Sequence, residues 1–239
     1  MLNLQANDPV AMAVVSAIQK GDVDGLKHLI AAHPGLAKAT IVDASGTARS
    51  LLHVAADWPG HFLNGARTVT ALVEAGADVN ASVISTQHAE TPLHWAASSN
   101  DVAVLEALID GGADIEAPGA VFTGGSPMSD AVVFAQWDAA RKLLARGART
   151  TFWQAASLGL LDRVKEYLEG QPPPSLDEIT NAFWNACRGG QLETARLLLA
   201  SGADLNWIGH DNKTPLDCAV GSGTQELVVW LRGQGATFA

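Results

Sequence analysis

Cysteine is scarce: the chain has two in 239 residues, Cys187 and Cys218. Two thiols cannot build a disulfide framework, and both fall in short alanine-bearing segments. They read as buried free thiols in a reducing compartment. Basic residues are also few, 15 Lys and Arg against 25 Asp and Glu, for a formal charge of −10. Neutralising phosphates requires the opposite balance, which argues against a nucleic-acid partner and favours cationic or neutral ones. No apolar run approaches the roughly 18 residues of a membrane span. The opening, MLNLQANDPVAMAVV, has no basic stretch ahead of its apolar run and carries Asp8 and Pro9. It does not read as a secretory leader, so a cytoplasmic protein without membrane association is expected. Phosphate-cradling glycine loops and serine-nucleophile motifs are missing. The histidines at 28, 33, 53, 61, 88, 94 and 210 show no zinc-like spacing with Cys or carboxylates, so neither metal nor cofactor is expected.

What the chain does have is repetition, clearest in residues 90–116, ETPLHWAASSNDVAVLEALIDGGADIE. Thr91 is suited to cap a helix, and Pro92 fits the first helical position, where no N–H is needed. Leu93, Trp95, Ala96 and Ala97 predict a short helix with small residues where a neighbour comes close. Val102, Leu105, Leu108 and Ile109 recur at helical spacing and predict a second helix, ended by Gly111 and Gly112. Neither helix buries its apolar face alone, so the unit requires copies. SLLHVAA at 50–56 and KTPLDCAV at 213–220 repeat the opening, and EAGADVN at 74–80 and ASGADLN at 200–206 repeat the close. These motifs resemble the ankyrin repeat, with its T-P-L-H helix, its G-A-D-x-N close and its period near 33. DWPGHF, ETPLHWAASS and GHDNKTPLD further resemble bacterial stand-alone ankyrin repeat proteins. The resemblance implies an all-α ankyrin-repeat solenoid of about seven helix-turn-helix repeats joined by finger loops.

Aligned on Ala17, Ala55, Ala96, Ala131, Ala155, Ala186 and Ala219, the repeats are spaced by 38, 41, 35, 24, 31 and 33 residues. They fill the chain as one domain, 1–239, with repeats at roughly 8–45, 46–86, 87–122, 123–150, 151–176, 177–209 and 210–239. The first departs from the pattern, as a terminal repeat should. The second carries an insertion around Asp57, Trp58 and His61, bent at Pro59-Gly60. Long connections flank the third at 81–90 and 118–125, and the fifth follows with almost no finger. The fifth and sixth open on Phe152-Trp153 and Phe183-Trp184, with Trp where the pattern has His.

The resemblance also implies that short helices and fingers line one concave face. Residues carried onto it are Asp57, Trp58, His61, Trp95, Ser98, Ser99, Asp130, Phe134 and Gln154. Aromatic rings there are either anchors of a binding site or core packed beneath the long loops. Their coincidence with the long loops in repeats two to four suggests a lidded pocket for a protein segment or a small apolar or aromatic molecule. Asp130 replaces an apolar residue beside such rings. It reads either as a carboxyl of raised proton affinity or as a helix-start carboxylate favoured by the dipole. Asp57 and His61, four apart across the bend, are a candidate carboxylate–imidazole pair or loop residues that satisfy backbone groups. Should the groove be an active site, Asp130, Asp57 and His61 are its candidate proton carriers. His53 and His94 occupy the family's hydrogen-bonding slot and read as structural, and Trp137 and Trp230 as core.

Overall fold

The computed structural model describes residues 2–84 and 89–239. Residues 85–88 of the long connection, His88 among them, lie outside the described residues. Two compact units divide the chain, Met1–Ala148 and Arg149–Ala239.

The first unit holds four helix pairs: α1 (Pro9–Lys20) with α2 (Val23–Ala32), α3 (Leu51–Ala56) with α4 (Gly65–Glu74), α5 (Pro92–Ser98) with α6 (Val102–Asp110), and α7 (Pro127–Val133) with α8 (Trp137–Ala145). The first members α1, α3, α5 and α7 stack on one another as an inner layer, and α2, α4, α6 and α8 back them as an outer one. Stacking buries Leu51, Leu52, Leu72, Leu93, Leu105 and Met128 completely. Start signals are local and chemical. The Asp8 carboxylate accepts from the Val10 N–H at 2.7 Å at the head of α1, and Pro9 and Pro92 stand where a helix needs no N–H.

A small sheet accompanies these helices. Strand β1 (Asn3–Gln5) pairs in parallel with β2 (Thr40–Val42), which pairs antiparallel with β3 (Ala48–Ser50). The first finger is thus a β-hairpin, and Ala48 forms one further bridge to Ile84 at the start of the second finger.

The second unit holds three pairs: α9 (Phe152–Ser157) with α10 (Leu161–Leu168), α11 (Leu176–Arg188) with α12 (Leu192–Ala200), and α13 (Pro215–Ser222) with α14 (Gln225–Gly233). Its core gathers Phe183, Trp184, Leu198, Leu216, Leu227 and Leu231. The sequence pattern opens the sixth inner helix at Phe183-Trp184, but α11 begins seven residues earlier, at Leu176. The cause is a capping box. Ser175 N–H donates to the Glu178 carboxylate at 2.8 Å, and the Glu178 N–H donates back to Ser175 Oγ at 3.3 Å. Trp184 fills the histidine slot and does its work, since its indole N–H donates to the Lys213 carbonyl at 2.8 Å. Both cysteines are buried and free, and burial raises both thiols, Cys218 to about 12, so neither presents a thiolate. No described helix is long and apolar enough to cross a membrane.

Candidate functional site: a carboxyl pair and exposed aromatics in the first unit

The site is built on two repeated histidine ties. Nδ1 of His53 accepts the Ser50 N–H, and Nδ1 of His94 accepts the Thr91 N–H, at 3.2 and 3.1 Å. Nδ1 is therefore the acceptor, and Nε2 carries the proton. His53 Nε2 donates to the Glu90 carbonyl at 3.1 Å, and His94 Nε2 to the Gly125 carbonyl at 3.2 Å. Each imidazole fastens the base of the following finger to its own helix start. Burial holds both near pKa 4, so both stay neutral. The structural role expected of them is what the geometry shows.

The next residue along each of α3, α5 and α7 differs in type and exposure, and only Trp95 keeps part of its surface open. In successive repeats it is Val54, Trp95 and Asp130. Trp95 is half-buried, lies edge-on to the His53 ring at 4.9 Å, and points its indole N–H at the Glu90 carboxylate, 3.4 Å away. Asp130 is only 1% exposed, and neither carboxyl oxygen has a hydrogen-bond partner among the described residues. The Glu90 carboxyl and the Val121 backbone face it without reaching good hydrogen-bond geometry. Burial first, and the negative Glu90 second, push the Asp130 carboxyl up to about 8, so it keeps its proton at neutral pH. Of the two readings of Asp130, the poorly solvated carboxyl describes it. The following finger lies against the backbone beside Glu90. Gly119, at φ +136°, leaves no room for a Cβ, which would meet the Ala89 carbonyl oxygen at 2.6 Å.

The insertion after α3 is pinned from two sides. The His61 N–H donates to the Asp101 carboxylate at 2.6 Å, and the Asn64 amide donates to the Gly21 carbonyl at 2.9 Å. The other oxygen of Asp101 caps α6 through the Val104 N–H at 3.1 Å. Asp57 is held by Arg49 at 2.6 Å, and no contact joins it to His61 among the described residues, so the carboxylate–imidazole pair is not formed. Trp58 is 80% exposed, which removes the option that it packs as core beneath its loop. Phe134, 41% exposed, is met by Phe122 from the finger, with ring centroids 5.8 Å apart.

Three other candidates have side chains engaged locally. Ser99 is buried and donates to the Trp95 carbonyl at 2.9 Å, beneath the Gly60 turn, and Ser98 donates to the same carbonyl at 3.0 Å. Their hydroxyls close the end of α5. Gln154 belongs to the second unit, where it is buried, and its side-chain oxygen accepts the Thr151 N–H at 2.8 Å to cap α9. Sequence reasoning missed Glu90, Phe122 and Asp101. Glu90 is the one with a readable signal, as the residue preceding the Thr91 cap. A hollow of about 470 Å³ lies away from these residues, on α1 and α2, lined by Ala13, Ser16, Lys20, His28 and Leu29 among others. Among the described residues no group of His, Cys, Asp or Glu is placed to hold a metal ion.

A family model described as ankyrin repeats (3 copies) matches residues 14–119, 52–151 and 152–238. No protein of curated function matches the sequence. Among solved structures, the crystal structure of the human ASB11 ankyrin repeat domain is similar, with 26% identity over 94% of this chain and 98% of that one and a TM-score of 0.53. The T-P-L-H helices, the histidine ties to the following finger and the matched span agree, and the chain belongs to the ankyrin-repeat family.

Proposed function

We propose that this chain is a binding module, one ankyrin domain that grips a protein segment through the short-helix and finger face of repeats two to four. The observation that carries this reading is the set of exposed rings in the first unit: Trp58 at 80%, Phe122 at 71% and Phe134 at 41%. Contiguous exposed apolar surface is a recognised mark of an interaction site, and Phe122 and Phe134 supply such surface in ring contact with each other. Trp58 and Phe134 follow the C-terminal ends of α3 and α7, and the finger residue Phe122 leans on Phe134. Aromatic anchors of this kind dominate binding energy in protein interfaces. Ankyrin repeats generally serve protein interaction, which favours a segment of polypeptide over a small apolar or aromatic molecule.

An acid–base enzyme is the weaker reading. Asp130 holds a proton, but its oxygens are closed to a guest. Asp57 is spent on Arg49, and the loop fixes His61 through its backbone.

Selection of a displayed peptide library against the full chain tests the proposal. Trp58→Ala and Phe122→Ala should each weaken a selected peptide about tenfold or more, the usual cost of removing an anchor. Both side chains are exposed, so thermal stability should change little. Peptides that bind both variants as well as the parent would rule out this face.

A further inference from the structure

We infer that Glu90 and Trp95, with the buried Asp130 carboxyl behind them, form a receptor for one cationic side chain, an arginine of the bound segment. The inference rests on the binding reading above and names what the groove selects. Asp130 is a carboxyl with both oxygens buried and unpartnered, beside a second carboxyl, Glu90. Unpaired buried polar groups are costly and uncommon, so this arrangement needs a partner or a proton. Glu90 and Trp95 are both half-open to solvent, and the Trp95 N–H already orients the Glu90 carboxylate. A planar guanidinium suits that pair of neighbours. It offers parallel N–H donors to a carboxylate and stacks on an indole face. The chain's net charge of −10 draws such a cation in.

The exchange balances. The free pair carries one proton and a charge of −1. The bound pair carries none and a charge of −2, compensated by the guanidinium, and the proton leaves to solvent. Among the described residues no cation acts on the Asp130 carboxyl. His53 and His94 are neutral, with both ring nitrogens engaged, and Arg49 is taken by Asp57. On α8, Arg141 pairs with Asp138 and Lys142 with Glu106.

The test uses N-acetyl-arginine amide, with the uncharged N-acetyl-citrulline amide as control. The readout is the Trp95 indole N–H resonance in the full chain, assigned through Trp95→Phe. The expected result is saturable binding of the arginine amide alone, tightening by up to about tenfold per pH unit between pH 5.5 and 7.5, because each binding event expels a proton. Asp130→Asn should keep native spectral dispersion, bind more weakly and lose the pH dependence. No arginine response, an equal response to citrulline, or an unchanged pH dependence in Asp130→Asn overturns the inference. Selected peptides separate the two ideas. If they need Trp58 and Phe122 but tolerate arginine-to-citrulline replacement and Asp130→Asn, the cation receptor fails and the binding face stands. If the arginine amide binds while no peptide is selected, the binding face fails and the receptor stands.

Discussion

Asp130→Asn should flatten the dependence of stability on pH. An unfolded Asp gives up its proton near pH 4, and the folded Asp130 only at about 8. Between those values the folded state alone holds the proton. Stabilisation from the protonated group is therefore full below pH 4, falls as pH rises through the window, and is gone above pH 8. The slope is at most about 1.4 kcal/mol per pH unit, which sets an upper limit of roughly 5–6 kcal/mol across the window. Asparagine has no such proton, so the variant should gain on the parent steadily toward alkaline pH. Urea unfolding at pH 5, 6.5 and 8.5 measures it. Parallel curves for the two proteins would mean that Asp130 is ionised and solvated. Glu90→Gln should show a smaller effect of the same sign, because it removes the negative neighbour and leaves the burial.

The second large effect belongs to the other unit. Phe183→Ala should cost about 3–5 kcal/mol, the range for deleting a fully enclosed ring. Phe183 is 0% exposed on α11, which packs against both α9 and α13. Stability in repeat arrays is a sum of neighbour terms, so amide protection should fall first in those three helices. Phe183→Leu, which keeps most of the volume, should cost less than half as much. A loss below about 1 kcal/mol for the alanine variant would show that the ring does not fill a closed core.

The repeat architecture is legible because its signals are local. Thr91-Pro92 and Thr214-Pro215 start helices by capping chemistry, and Gly76, Gly112 and Gly202 stop them at positive φ. Asp130 is legible for a related reason, as a charged residue set where neighbouring repeats carry Val54 and Trp95. What escaped depends on chain returning from a distance. Glu90 and Phe122 lie in fingers without periodicity, and only folding brings them to Asp130 and Phe134. The early start of α11 was readable from Ser175 and Glu178, three apart, but the alanine register drew the boundary to Phe183. Gln154 stands in the alanine register where the third repeat has Trp95, yet its side chain caps its own helix, which the register alone does not show.

Asp101 carries a consequence of its own. One oxygen begins a helix, while the other holds the turn that presents Trp58. The start of α6 and the Trp58 turn thus share a single acid. Grafting the DWPGHF turn onto another ankyrin protein would require transplanting this distant aspartate with it, because without that tether the tryptophan would arrive on a loose tip.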